Sequence, residues 1–306
     1  MPLVIQTEQL DPAAAAWLGE RVELVRCGSD EPGFAPLLSR AEGLLIRTYT
    51  RVDRAMLDAG PRLRVVARAG VGLDNVDLDA CRARGIAVLN TPDANTQAVV
   101  EFVLALVLDD LRPRESLDGP LPLRPWNDLR DRLVAPRQLS DLTLGILGLG
   151  RIGSRVARAA HALGVRVVYH DLLDLPEPHR HHAHPVPLTQ LFVESDVLTI
   201  HIDGRPENRL FVNAALLGRL KPDALLVNTA RGFVLDAAAL AAFLRSHPAA
   251  RAALDVHEPE PFDAAYPLLG LPNARLTPHL ASATATAKRN MSWVVRDLCR
   301  ALTGVG

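Results

Sequence analysis

Cysteine is scarce in this chain, aromatic residues are few, and neither sign of charge is in excess. The three cysteines, Cys27, Cys81 and Cys299, are odd in number and far apart. They make neither a disulfide framework nor a metal motif, and a reducing cytoplasm is the expected setting. Lys and Arg total 34 against 35 Asp and Glu, a formal net charge of −1. That balance offers nothing to attract nucleic acid or an acidic membrane, so neither is expected as a partner. Long apolar runs are missing too: the longest, around Phe102–Leu108, is far too short to span a bilayer. The opening MPLVIQTEQ lacks the basic region and apolar stretch of a secretory signal. What is present is ordinary for a globular protein, 48% hydrophobic and 23% charged, and 306 residues suffice for two domains with separate cores.

Short apolar runs alternate with helical stretches from the first residues onward. Leu3–Ile5, Val22–Val25, Gly43–Ile46, Arg64–Ala67 and Ile86–Leu89 read as strands, with helices between them opened by Asp11-Pro12 and by Asp77. Such alternation implies a parallel sheet covered on both faces. Thr96–Asp109 (TQAVVEFVLALVLD) is a helix with too much apolar surface for one face, as expected of a helix between domains or at a subunit interface. Arg112–Ser140, rich in proline and charge, has no clear period.

The second half is built on LTLGILGLGRIG, Leu142–Gly153. A strand precedes Gly148, Gly150 and Gly153; the helix Arg151–Leu163 and the strand Val165–His170 follow, and Asp171 lies 18 residues past the last glycine. This is the spacing of a dinucleotide-binding turn. Gly148 makes the strand-to-helix bend, Gly150 lets backbone approach a pyrophosphate, and Gly153 permits close packing of helix on strand. The phosphates would rest on the free N–H groups of the helix start. Asp171 would accept hydrogen bonds from the ribose hydroxyls and repel a 2′-phosphate, which favours NAD over NADP. Further strands end in Arg231, in an acid cluster with Glu258 and Glu260, and in His279. Strand ends on one edge of a parallel sheet lie together, so Arg231, Glu260 and His279 can converge. An arginine grips a carboxylate, a histidine exchanges a proton near neutrality, and a carboxylate beside it favours imidazolium. Each also has a plain structural reading taken singly. Arg68-Ala-Gly70-Val71-Gly72 follows the fourth strand and could form an anion nest. His179, His181, His182 and His184 lie among prolines without helical spacing and read as a solvated loop, so no metal site is expected.

Together these segments resemble the NAD-dependent D-2-hydroxyacid dehydrogenase family, which includes D-3-phosphoglycerate dehydrogenase and the glyoxylate/hydroxypyruvate reductases. The resemblance rests on IRTYT at Ile46–Thr50, RAGVGLDNVD at Arg68–Asp77, NTPDANTQAVVE at Asn90–Glu101 and LGILGLGRIG. It continues through KPDALLVNTARG at Lys221–Gly232, ALDVHEPEP at Ala253–Pro261 and TPHLASAT at Thr277–Thr284. It implies an α/β fold of two doubly wound parallel-sheet domains. One is a discontinuous, flavodoxin-like substrate domain from residues 1–96 and 281–306; the other is a Rossmann NAD-binding domain, 97–280. It implies an Arg–Glu–His catalytic set of Arg231, Glu260 and His279, the acid before the closing proline being chosen over Glu258. It assigns Arg151, Ile152, Asp171, Thr229, Ala230 and Asp255 to NAD, with Thr96 near the cofactor, and places the substrate carboxylate on the Gly70, Val71 and Gly72 backbone. It also implies homodimers built on the glycine-loop domain and its flanking helix.

The family's His-x-Pro-Leu-Thr after the fourth strand of the NAD domain stands here as His201-Ile-Asp203-Gly204-Arg205. His201 is still expected beside the cofactor. Arg47 and Arg68 could hold a 3-phosphate, which favours a phosphoglycerate dehydrogenase-like activity. Reduction of glyoxylate or hydroxypyruvate is the alternative. From another class, the chain could be an NAD-sensing protein like the corepressors that resemble this family. No regulatory domain is expected after Gly306.

Overall fold

In the computed structural model residues 1–304 are described. Val305 and Gly306, which close the expected substrate domain, lie outside the described residues. The chain divides into two compact units, one from Met1–Thr96 with the segment from Ser282 onward, the other Gln97–Ala281.

The first unit holds five strands, β1 (Leu3–Gln6), β2 (Glu23–Arg26), β3 (Gly43–Ile46), β4 (Val65–Arg68) and β5 (Ala87–Leu89). All pair in parallel, in the order β2-β1-β3-β4-β5. That is the flavodoxin-like order, with its switch point between β1 and β3. β1 and β3 are buried at every position, whereas the edge strand β2 is not. Continuous apolar runs are what a sheet covered on both faces needs. Asp11, Asp53 and Asp77 each accept a hydrogen bond from a first-turn N–H and so start their helices where the sheet ends. The closing stretch is two helices: Ala285–Ser292 buries Ala287, Met291 and Ser292, whose hydroxyl accepts from the Asp11 N–H, and Val295–Thr303 packs into the core of this unit through Leu298 and Leu302.

The second unit adds β6 (Thr143–Leu147), β7 (Arg166–His170), β8 (His184–Pro185), β9 (Val197–Ile200), β10 (Leu225–Asn228), β11 (Arg251–Leu254) and β12 (Ala274–Leu276). Their order is β12-β11-β10-β9-β6-β7-β8, again wholly parallel. Chain order reverses between β6 and β9. This is the doubly wound dinucleotide order with one strand added, and ligands bind at the carboxyl ends flanking that reversal. The helix Thr96–Leu111 lays Val99, Val103, Leu106 and Val107 on the core around β6. Two stretches read as irregular carry structure. Leu123–Arg132 is a helix that buries none of its residues, and the histidine-rich loop supplies β8 and a short helical turn at Glu177–Arg180. No helix among the described residues is long and apolar enough to cross a membrane.

Candidate active site

The glycine turn stands at the reversal of strand order. Gly148 has φ +92°, a conformation that favours glycine, and a Cβ there would press on the His201 backbone and Ile202 at 3.0 Å. At Gly153 a Cβ would overlap the Gly148 carbonyl, so helix Arg151–Ala162 can sit on β6 only without one. A Cβ at Gly150 would meet nothing, which leaves open space beside the helix start. Asp171 closes the turn from the side: its Oδ2 accepts from the Leu149 N–H at 2.7 Å and its Oδ1 from the Leu173 N–H at 2.9 Å. Arg151 is exposed and Ile152 half-buried at the first turn. Across the switch point, burial pushes the His201 pKa down to about 3, so the ring is neutral, and its Nε2 meets Thr199 Oγ1 at 2.9 Å. In the divergent loop that follows, Arg205 grips both oxygens of Asp203 at 2.7 and 2.6 Å, and Asn208 Nδ2 donates to the Asp203 carbonyl.

Arg231 follows β10 on a turn fixed by the wholly buried Asn228. The Asn228 amide oxygen accepts from the Ala230 N–H at 3.0 Å, and its nitrogen donates to the Arg231 carbonyl at 3.0 Å. Gly232 then lies against the backbone of His257, where a Cβ would stand 2.6 Å from Cα and closer still to the carbonyl. His257 is buried. Its Nε2 meets the Thr277 carbonyl at 2.9 Å, and its ring packs edge-on against Phe262 and Tyr266.

The His257 N–H donates to Glu260 Oε1 at 2.7 Å, which aims the other oxygen at His279; Oε2 lies 2.8 Å from Nδ1. Glu258, the second acid of the cluster, faces Arg209 instead. His279 has φ +56°, strained for a residue with a side chain. Asp255 holds that turn from within. Its wholly buried carboxylate takes the Thr277 hydroxyl at 2.6 Å and the N–H groups of Leu280 and Ala281 at 2.7 Å.

The hydrogen bond to Glu260 raises the His279 pKa; burial and the Arg231 charge oppose it without prevailing. Burial works to raise the Glu260 pKa, but the hydrogen bonds from His279 and His257 hold it below the ordinary carboxylate value. Each partner thus biases the other, the carboxylate toward its ionised form and the imidazole toward imidazolium. Two buried polar atoms have no partner among the described residues: the Thr229 hydroxyl here and Arg47 Nε in the first unit. The orphaned Thr229 hydroxyl, the open side of Gly150 and the Gly148–Gly153 cradle fit a bound dinucleotide.

In the first unit the Gly70 N–H closes on the Arg68 carbonyl at 2.8 Å, and the N–H groups of Val71 and Gly72 bond to nothing among the described residues. Thr96 is buried at the start of its helix. Asn228, His257 and Tyr266 were not singled out from the sequence. Only Asn228 carries a local signal, an amide two residues before the N–H it caps. Among the described residues no group of three or more His, Cys, Asp or Glu could hold a metal.

Strand order, glycine turn and acid together define a dinucleotide-binding domain. The family model "D-isomer specific 2-hydroxyacid dehydrogenase, NAD binding domain" matches residues 104–281. The chain belongs to that family, and the second unit is its NAD-binding domain. The chain is 35% identical to D-3-phosphoglycerate dehydrogenase of Mycobacterium tuberculosis, over 99% of its own length but 57% of that relative's. It thus spans little more than half the length of the phosphoglycerate dehydrogenases it matches. Glyoxylate reductase of Aeropyrum pernix is 36% identical over 97% of this chain and 91% of that one. Among solved structures, D-lactate dehydrogenase of Aquifex aeolicus with NAD and lactic acid has a TM-score of 0.84 at 26% identity, covering 99% and 96% of the two chains.

Proposed function

We propose that the protein is an NAD-dependent oxidoreductase interconverting a D-2-hydroxy acid and its 2-keto acid, with a phosphoglycerate dehydrogenase-like substrate. The observation that carries this is the 2.8 Å contact between Glu260 and His279 on the same strand edge as Arg231. The dinucleotide, when bound, supplies or accepts the hydride at C2. His279 gives its proton to the forming alkoxide in reduction and takes it back in oxidation. Glu260 keeps that imidazole protonated and fixes which nitrogen faces the substrate. Arg231 holds the carboxylate and polarises the carbonyl. Gly148, Leu149 and Gly150 offer backbone to the pyrophosphate, with Arg151 and Ile152 at the helix start. Thr229, Ala230 and Thr96 stand toward the cofactor in this reading. Asp171 retains oxygen lone pairs for the ribose hydroxyls, and its charge disfavours NADPH. The Val71 and Gly72 N–H groups take the substrate carboxylate, and Arg47 and Arg68 a distal anion.

The likeness to glyoxylate reductase supports a second reading, in which glyoxylate or hydroxypyruvate is reduced and no distal anion is needed. kcat/KM for phosphohydroxypyruvate, hydroxypyruvate and glyoxylate, each with NADH and NADPH, separates the two. The first reading expects phosphohydroxypyruvate with NADH to lead by tenfold or more. Equal use of glyoxylate removes the phosphate reading, and preference for NADPH removes the role of Asp171. Arg231→Ala should abolish turnover while leaving NADH affinity within a few-fold; turnover retained in that variant refutes the mechanism.

A further inference from the structure

The four residues after β3, Arg47–Thr50, turn all of their backbone N–H groups onto one side chain. Oε1 of Glu8 accepts from Arg47 at 3.0 Å and from Tyr49 and Thr50 at 3.1 Å; Oε2 accepts from Thr48 at 2.9 Å. Convergent backbone N–H groups of this kind make an anion site, and here the anion is built in. It comes from the end of β1, across the switch point of the five-stranded sheet. Burial of Glu8 raises its pKa, but the four hydrogen bonds outweigh that and hold the carboxyl below its ordinary value.

The same turn is held from its other side by Asn75. Its Nδ2 donates to the carbonyls of Arg47 at 3.1 Å and Thr50 at 2.7 Å, and its Oδ1 accepts from Arg68 Nε at 3.0 Å. One amide therefore ties both ends of the turn to the guanidinium of Arg68. That guanidinium lies across Gly70, where a Cβ would overlap Nη1 and stand 3.0 Å from Cζ. Arg47 itself reaches the Gln9 carbonyl through Nη1 at 3.0 Å, and its buried Nε has no partner among the described residues.

We infer that Glu8 and Asn75 are positioning residues for the substrate-anion site, setting the pose of Arg47 and Arg68 without touching substrate themselves. This rests on the reading that these two arginines bind the distal anion. The geometry adds a restriction: the Arg47–Thr50 N–H groups are already spent on Glu8, so they do not serve the distal anion, which falls to the side chains of Arg47 and Arg68. Asparagine is required at position 75 because the frame needs a donor and an acceptor on one planar group; aspartate there cannot donate to either carbonyl.

The test measures KM and kcat for phosphohydroxypyruvate, and Kd for NADH, in Glu8→Gly, Asn75→Ala and Arg68→Ala. Loss of hydrogen bonds to charged groups predicts KM raised roughly tenfold or more in Glu8→Gly and Asn75→Ala, with kcat and NADH affinity within about threefold of wild type. Added formate should lower the KM of Glu8→Gly by refilling the vacated nest, while in wild type it should only compete with substrate. A normal KM in Arg68→Ala overturns the arginine reading itself. A raised KM in Arg68→Ala beside normal values in the other two overturns the positioning inference alone. Parallel loss of kcat, NADH affinity and melting temperature, without formate rescue, marks Glu8 as merely structural and also overturns it. Should Glu8→Gly not fold, Glu8→Gln and Asn75→Ala are read against the same criteria, with normal KM in both as the refuting result.

Discussion

Replacing Gly232 by alanine adds one methyl group between the two loops that carry the proposed chemistry. On one side lies the Arg231 turn, pinned by both ends of the Asn228 amide. On the other lies His257, held through its ring by the Thr277 carbonyl and through its N–H by Glu260. The new Cβ would sit 2.6 Å from the His257 Cα, against 3.4 Å for an ordinary contact, and closer still to the carbonyl. The obstacle is backbone, so no side-chain rotation relieves it. The loops must part by about 1 Å, and a shift of that size at a reacting centre costs on the order of 10²-fold, or about 2.7 kcal/mol of transition-state binding. Overpacking adds roughly 1–3 kcal/mol of lost stability.

The assay is kcat/KM for the preferred keto acid in Gly232→Ala, beside NADH affinity by fluorescence titration and a thermal melt. The glycine turn at Gly148–Gly153 is built from other segments, so NADH affinity should change by no more than a few-fold while kcat/KM falls by about two orders of magnitude. A folded variant with kcat/KM within threefold of wild type would show that Arg231 does not need its present place against His257. The mechanism assigned to it would then fail.

Two other expectations follow from the same geometry. Because Glu260 raises the His279 pKa, keto-acid reduction, which needs the protonated ring, should hold to higher pH than an isolated histidine allows. Glu260→Gln should move the alkaline fall in kcat/KM to lower pH, and an unmoved limb would sever the pair from catalysis. Leu123 and Val134 are 77% and 72% exposed, and the helix Leu123–Arg132 buries nothing in its own chain. Homodimerisation through the glycine-loop domain would cover this segment. Light scattering on the purified protein should give a dimer, and Leu123→Glu should weaken it; a monomer at micromolar concentration refutes that assignment.

Much of this fold is legible in sequence because its signals are local. Apolar runs such as Leu225–Val227 mark strands covered on both faces, Asp11, Asp77 and Asp236 mark helix starts, and the glycine spacing marks the turn after β6. The helix Leu123–Arg132 escapes such reading because Pro125 and its charged residues interrupt the apolar positions Leu123, Trp126 and Leu129, and it buries none of them. The break at Trp293–Val294 carries no glycine or proline to announce it. At the site, Arg231 and His279 stand out by residue type, and Glu260 is separated from Glu258 by the family resemblance. Their supports do not stand out: Tyr266 and Thr277 meet His257 only through the tertiary fold.

Acids at strand ends show why residue type alone misleads about roles. Glu8 after β1, Asp171 after β7 and Asp255 after β11 all stand where a parallel sheet offers its ligand edge. Each spends oxygens on backbone N–H groups of neighbouring loops: four on Glu8, two on Asp171, and two with a hydroxyl on Asp255. Loops at that edge must turn sharply, so their N–H groups lack ladder partners and need an acceptor from elsewhere. A carboxylate at the strand end supplies it and is itself stabilised by the donors it gathers. Asp171 is only half-buried, which leaves it open to the ribose in the proposed reading, whereas Asp255 is sealed. Exposure, which the sequence does not show, separates an acid still open to solvent from one whose oxygens are already spent on its own loop.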